Sequence, residues 1–372
     1  MILDSVHVDR VHAPRTPAEL TEAIGSETGA VSPVGAGTEL EFGNPLGPID
    51  CAIDMRRLSR ITEYVPADLT VHVEAGLTLG ELQTALAEHN QILTLDPWNG
   101  PEATIGGIAA TNAQGPFRAA GSIRDWIIGM RVVHVDGRNS KTGGRVVKNV
   151  SGYDLAKLYT GSLGSLAVIS EVSFKLRANF EKIVTARTRV GSSSEALHLT
   201  TAIRRGPVEP VSFLWTGPDN SIYVRFGDQK RAVDWQLSAL PAAEWETFEG
   251  EAEDALWRGV RRDYKELGEI VVRLVTLPSK IERVVDRFKP DRWLAHVANG
   301  VVLLSVESAD EIAELRREFP VVIDRAPIEV RRQVPAFGLN GPQYELMKQL
   351  KKSFDPEGRL NPGRHVDGEY RA

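Results

Sequence analysis

The stretch Ala103-Thr104-Ile105-Gly106-Gly107-Ile108-Ala109-Ala110-Thr111-Asn112-Ala113-Gln114-Gly115 contains almost no large side chain. Glycine gives up more backbone entropy on ordering than any other residue, so such a run is costly for a regular helix or strand. It makes physical sense where a flat ring or a phosphate must lie against bare backbone. Thr104, Thr111, Asn112 and Gln114 can then offer hydrogen bonds to a polar ring edge or a polyol chain. A small-residue packing seam between two elements is the competing reading.

Two further glycine clusters flank this run. The first, Pro33-Val34-Gly35-Ala36-Gly37-Thr38-Glu39, follows a strand candidate at Ala30 to Val34. A Gly-x-Gly turn after a strand lets successive N–H groups converge on an anion, a dinucleotide pyrophosphate for example. The three-glycine dinucleotide fingerprint is incomplete, because Leu40 stands where its last glycine belongs and Phe42-Gly43-Asn44-Pro45 disfavours the helix that should follow. The Gly-Lys-Ser/Thr of a nucleoside-triphosphate loop is also absent. An ordinary strand-to-loop turn therefore stays open. The third cluster runs from Gly143-Gly144-Arg145 through Lys148-Asn149-Val150-Ser151-Gly152 to Gly161-Ser162-Leu163-Gly164 and Val168-Ile169. Gly161 and Gly164 bracket a turn whose outgoing strand can read an adenine edge with main-chain groups. Tyr153, Asp154 and Lys157 suit either ligand contact or domain packing.

Composition narrows the class. At 372 residues the chain has room for about two domains. With 42% hydrophobic and 25% charged residues it reads as globular, not mainly disordered. A formal charge of −6 argues against a general nucleic-acid binder. The single cysteine, Cys51, cannot build a disulfide framework, a cysteine zinc cage or an iron–sulfur cluster, so a reducing compartment and no metal are expected. The N-terminus lacks a signal-peptide pattern, and no stretch approaches the ~18 apolar residues of a membrane span. The expected location is cytoplasmic, with peripheral inner-membrane association through a complex as the variant.

Periodicity divides the chain. In the front part, Leu69 to Ala75 alternates as a half-buried strand, and Thr78 with Glu81 has capping-box spacing ahead of Leu79, Leu82 and Leu86 on one helix face. Strands are expected at Gln91 to Leu95, Trp126 to Val135 (ending in the Asp136-Gly137 turn) and Leu166 to Leu176. From about Glu181 the order becomes regular. The later run, from Glu269 to Asp324, reads βαββαβ, a ferredoxin-like arrangement, with the earlier run as a partial echo but no residue-level repeat. The acidic cluster Glu249 to Asp254 reads as a solvated helix start or linker, not a partner site. A last helix ends at Asp355-Pro356-Glu357-Gly358, and Asn361-Pro362-Gly363 turns the tail back onto the molecule.

The ordered series PVGAGTE, LTVHVEAGLTLGELQ, DPWNGPEATIGGIAATNAQGP, GSIRDWIIGMRVV, GGRVVKNVSGYDLAKLYTGSLGSLAVISEVSFKL and FDPEGRLNPGR resembles the FAD-binding fold of the vanillyl-alcohol oxidase / p-cresol methylhydroxylase (PCMH) superfamily. Within it the series is similar to the FAD-binding small subunits of bacterial glycolate oxidase (glycolate dehydrogenase). The resemblance covers about residues 30–178 and the tail. It implies an α+β protein: a two-part PCMH-type FAD domain over 1–178, a ferredoxin-like α+β cap over 179–330, and a 331–372 segment returning to the FAD domain.

The resemblance also assigns residues. Val34, Gly35, Ala36, Gly37, Thr38 and Glu39 would wrap the FAD pyrophosphate. Pro97, Thr104, Ile105, Gly106, Gly107 and Ala110 would follow the ribityl chain and isoalloxazine, with Ala113, Gly115, Gly121, Ser122 and Asp125 continuing that wall. Gly164, Val168 and Ile169 would hold the adenine end, and Asn361 would lie near the flavin. The first loop has no His, and Cys51 lies outside the glycine clusters, so the FAD is expected to be non-covalent. The larger catalytic relatives carry a cap motif resembling His-x-Gly-Asp-Gly-Asn-x-His, whereas this cap region has only His198 and His296, far apart. No catalytic residue is therefore assigned.

Three functions follow. One is the FAD-binding subunit of a glycolate (2-hydroxy acid) oxidase or dehydrogenase complex, working with a larger FAD-binding catalytic subunit and an iron–sulfur subunit that takes the electrons. A second is a structural or assembly flavoprotein subunit without turnover of its own. A third is a stand-alone FAD-dependent oxidase of an alditol or lactone, for which Arg331, Arg332, Tyr344 or His296 would be candidate active-site groups; an arginine fork suits a carboxylate.

Overall fold

The computed structural model describes residues 1–144, 153–338 and 341–366, so the Arg145–Gly152 part of the third glycine cluster lies outside the described residues. The chain forms two compact units: unit 1 contains residues 1–114, 121–178 and 328–372, and unit 2 contains 115–120 and 179–327.

Unit 1 starts with a small parallel sheet in the order β1-β3-β2, formed by β1 (Arg10–His12), β2 (Val31–Val34) and β3 (Cys51–Asp54). Every residue of β3 is buried, as expected for the central strand of a parallel sheet covered on both faces. Helix α1 (Pro17–Ser26) joins β1 to β2; Thr16 accepts from the Glu19 N–H, and Leu20, Ala23 and Ile24 turn into the core.

A five-stranded antiparallel sheet follows, built from β4 (Ile61–Val65), β5 (Thr70–Glu74), β6 (Ile127–Val133), β7 (Asn139–Gly143) and β8 (Val168–Lys175) in the order β7-β6-β8-β5-β4. The expected strands around Leu69, Trp126 and Leu166 are its central members. Only Gln91–Ile92 of the expected Gln91 to Leu95 strand is paired, because the chain leaves the pairing at the fully buried Leu93. Helix α2 (Leu79–Ala87) carries both capping-box bonds between Thr78 and Glu81 and buries Leu79, Leu82 and Leu86.

The small-residue run behaves differently from the expectation of an irregular stretch. Its middle is helix α3 (Ile105–Thr111), capped by the Thr104 side chain and closed by Asn112 in the left-handed region. Tertiary packing outweighs the glycine entropy here. A Cβ on Gly106 would lie 2.7 Å from the Ala75 Cβ, so bare backbone lets α3 sit directly on the turn after β5.

Unit 2 is one eight-stranded sheet in the order β12-β9-β11-β10-β14-β15-β13-β16. Its strands are β9 (Lys182–Arg189), β10 (Ser212–Gly217), β11 (Ser221–Asp228), β12 (Glu246–Glu249), β13 (Ile270–Val275), β14 (Trp293–His296), β15 (Val301–Val306) and β16 (Val321–Arg325). Helices α4 (Ser193–Arg205), α5 (Lys230–Ser238), α6 (Glu251–Lys265), α7 (Ile281–Phe288) and α8 (Ala309–Arg316) complete it. Both halves are βαββαβ, with α6 between them, and they join edge to edge through antiparallel pairing of β10 with β14. The first run is thus a complete ferredoxin-like half. Its closing strand escaped the pattern because Glu-Thr-Phe-Glu is a short, exposed edge strand with charged residues, the composition that protects sheet edges. The acidic cluster after it does start a helix, α6.

The tail rejoins unit 1. Helix α9 (Gly341–Phe354) buries Lys351, whose Nζ donates to Ser165 O (3.0 Å), Leu360 O (2.8 Å) and Asp355 Oδ2 (2.6 Å). Leu360 bridges to Val31, with Val31 N donating to Arg359 O (2.7 Å) and Asn361 N to Val31 O (2.9 Å). The tail therefore extends the edge of β2, immediately before the first glycine loop.

Candidate functional site

In unit 1 the strand β2 and its loop, helix α3, the turn at Gly161 to Gly164 and the tail enclose a cleft. One part is lined by Ser32 to Leu40, Phe42, Leu46, Thr104, Gly107, Ala110, Thr111, Leu163, Asn361 and Arg364, with about 600 Å³ of open space. The adjoining part adds Met55, Ala75, Gly106, Gly164, Val168 and Ile169, with about 420 Å³.

Glycines bring the walls this close. A Cβ on Gly35 would collide with Thr104 Oγ1, and one on Gly164 would lie 2.9 Å from Asn361 Nδ2 and 3.2 Å from Pro33 Cγ. Gly37 and Gly164 also hold φ of +76° and +65°, the left-handed region where a side chain is strained. Main-chain bonds lock the turn to α3: Gly161 N donates to Ala109 O (2.9 Å) and Leu163 N to Ala110 O (2.8 Å).

The tail supplies polar groups. Asn361 is buried, donates from Nδ2 to Leu163 O (2.7 Å), and leaves its Oδ1 buried without a partner among the described residues. A buried acceptor of this kind costs roughly 1–3 kcal/mol unless a ligand or water donor meets it. Arg364 donates to Asp4 Oδ2 (2.6 Å), Asn44 O (3.1 Å) and Leu40 O, bracing the far end of the first loop. Burial pushes the Asp4 carboxyl up, but the hydrogen bond from Arg331 and the charges of Arg364 and Arg331 outweigh it and hold it below its ordinary value.

Of the residues singled out in the sequence, Val34, Gly35, Ala36, Gly37, Thr38, Glu39, Thr104, Gly106, Gly107, Ala110, Gly164, Val168, Ile169 and Asn361 line this cleft. Pro97 is buried in the loop whose Asn99 donates to Thr38 O (2.7 Å), behind the cleft wall. Ile105 and Ala113 face the core. Ser122 and Asp125 form a capping box, with Gly121 at φ +120° beside Asp125, and Gly115 belongs to the 115–120 segment of unit 2. Leu40, Phe42, Leu46, Met55, Leu163 and Arg364 line the cleft but were not singled out. Of these only Arg364, a cation beside the Asn-Pro-Gly turn, left a signal in the sequence. Tyr153 is exposed, and Asp154 with Lys157 forms an exposed ion pair.

The candidates for a stand-alone active site separate. Arg331 is buried on Asp4, Arg332 is exposed, and the Tyr344 hydroxyl donates to Val366 O (3.1 Å). His296, on β14 of unit 2, is 2% exposed, and burial followed by the charges of Arg118 and Arg273 drives its pKa well below the ordinary value. Arg118, in the 115–120 turn against β10 and β14, donates its main-chain N–H to Gly115 O (3.1 Å). Desolvation, then repulsion from Arg273, brings it down to about 10, with Asp324 opposing. Unit 2 thus brings Arg118 and Arg273 to the buried His296, with Arg273 paired to Asp324 (3.7 Å), a grouping the sequence did not reveal.

Comparisons with known proteins give the family. Residues 8–143 match the FAD binding domain family and residues 338–365 the C-terminal domain of FAD linked oxidases. The chain is 28% identical to glycolate oxidase subunit GlcE of Escherichia coli, over 93% of this chain and 95% of that protein. It is 32% identical to a D-lactate dehydrogenase of Archaeoglobus fulgidus, over 82% of this chain and 80% of that one. An alkyldihydroxyacetonephosphate synthase structure superposes with a TM-score of 0.71 at 16% identity, over 96% of this chain and 77% of that chain. The chain belongs to the PCMH-type FAD-linked oxidoreductases, and its cofactor is FAD.

Proposed function

We propose that this chain is the FAD-binding subunit of a 2-hydroxy-acid oxidoreductase complex of the glycolate class, passing electrons to an iron–sulfur partner alongside a larger FAD-binding catalytic subunit. The observation that carries the reading is similarity to a glycolate oxidase subunit along nearly the whole of both chains. The cleft of unit 1 fits the cofactor: close-packed glycine backbone for phosphates and ring faces, and a buried Asn361 oxygen, unpartnered among the described residues, for a ring or ribityl donor. Val34 to Glu39 would hold the pyrophosphate, Thr104, Gly106, Gly107 and Ala110 the ribityl and ring stretch, and Gly164, Val168 and Ile169 the adenine end. Pro97, Ile105, Ala113, Gly115, Gly121, Ser122 and Asp125 would support that wall. The link would be non-covalent, since Cys51 is buried in β3 and the first loop has no His.

Bound FAD supplies a two-electron acceptor for oxidation of an α-hydroxy C–H bond. The chain's own contribution is to bind and orient that group. With one cysteine the chain cannot carry an iron–sulfur cluster, so electron exit by that route needs a partner. Anaerobic glycolate or D-lactate titration tests the reading. Bleaching of the flavin band in the co-purified complex, but not in the isolated chain, is the expected result. Bleaching in the isolated chain would favour a stand-alone oxidase, and a flavin unmoved in both would favour an assembly role.

A further inference from the structure

On the small parallel sheet of unit 1, His12 at the end of β1, Glu27 just beyond α1 and Cys51 at the start of β3 converge. His12 Nε2, a Glu27 carboxylate oxygen and Cys51 Sγ all lie within 4.8 Å of one another. The cluster shares no residue with the cleft lining.

Its chemistry is specific. Glu27 and Cys51 are buried, while His12 keeps 38% of its side chain exposed and opens the cluster to solvent. Glu27 Oε1 faces His12 Nε2 at 2.8 Å, and the Cys51 thiol, which donates to Ala52 O (3.5 Å), lies within 4.8 Å of both. The other oxygen, Oε2, is occupied by Arg10 Nη2 at 3.2 Å, which orients the carboxylate and leaves Oε1 for the cluster. A nitrogen, an oxygen and a sulfur donor therefore surround a common centre, with the His12–Glu27 hydrogen bond closing one side. We propose that this centre is a site for a divalent transition-metal ion of the zinc class, bound by His12 Nε2, Glu27 Oε1 and Cys51 Sγ, with solvent on the open His12 side.

A thiolate, an imidazole and one carboxylate oxygen form a borderline-soft set, which suits Zn²⁺ or Co²⁺ and not Mg²⁺ or Ca²⁺. Bond lengths of about 2.0–2.3 Å in a tetrahedron put neighbouring donors roughly 3.3–3.8 Å apart. The His12–Glu27 contact of 2.8 Å must then widen by roughly half an ångström, within the reach of side-chain rotation. Coordination expels the Cys51 thiol proton to solvent and places the imidazole hydrogen on Nδ1. One thiolate and one carboxylate neutralise the ion, and Arg10 remains as the outer partner of Glu27. The ion would tie β1, the end of α1 and β3 together, one strand away from β2 and its glycine loop.

Chelator-washed FAD-loaded protein titrated anaerobically with Co²⁺ tests this. The expected result is one Co²⁺ per chain with tetrahedral d–d absorption in the red, beyond the flavin bands, and a thiolate-to-cobalt band in the difference spectrum, both removed by Zn²⁺. C51S should abolish the thiolate band. H12Q, altered at the half-exposed position and so the safer variant for folding, should weaken Co²⁺ at least about tenfold. Wild type without these bands, or bands unchanged in H12Q, would overturn the proposal.

Discussion

Single residues fix the width of the cleft, and the two most telling are far apart in sequence. Gly164 combines a left-handed φ with contact to Asn361 and Pro33, so Gly164→Ala adds both strain and overlap. A loss of about 1–3 kcal/mol in stability is expected, with flavin content per chain falling further than the helical circular dichroism. Lys351 is the second case. Its buried ammonium satisfies two carbonyls and the Asp355 carboxylate, which is 1% exposed. Lys351→Met leaves that carboxylate buried without its cation, a defect worth about 3–5 kcal/mol, visible as a lower urea midpoint. Gly164 announced itself by belonging to a glycine cluster, whereas Lys351 reads in the sequence as one of several lysines on an amphipathic helix. Its role depends on Ser165, which reaches it only after the chain has folded.

At the level of elements, local signals settled the helices and the central strands. Thr78 with Glu81 and the alternation of Leu69 to Ala75 each involve neighbours a few residues apart, and the expected elements formed there. Elements decided by their surroundings did not declare themselves. Helix α3 forms from a sequence poor in helix propensity because its bare face packs on Ala75, and β12 pairs despite its glutamates. The tail is the element with the clearest consequence. It extends β2 through Leu360 and places Asn361 and Arg364 in the cleft wall. Truncation after Phe354 should therefore release flavin while unit 2 keeps its β-sheet signature; retention of flavin at wild-type stoichiometry would contradict the role given to the tail.

On the scale of the whole molecule, the two units carry different electrostatic loads. Unit 2 keeps His296 neutral by burial and by the nearby arginines, so its folded pKa lies well below 6.5. The unfolded chain binds a proton near 6.5 that the folded chain refuses. Stability therefore falls as pH drops below 6.5 and is recovered as pH rises through that window. His296→Leu should flatten this slope by up to about 1.4 kcal/mol per pH unit, measured as the change in urea midpoint between neutral and mildly acidic buffer. The sequence by itself determined the α+β class, the glycine stretches, the ferredoxin-like order of the second half and the flavin-binding family, because those rest on short-range periodicity and on motifs read in order. Only the tertiary structure decided which residues meet: Arg364 on Asp4 across 360 positions, Asn361 on Leu163, Arg118 beside Arg273, and His12 with Glu27 and Cys51. Such pairings follow from strand order and burial, and those are set by the free energy of packing the whole chain, which no local window of residues contains.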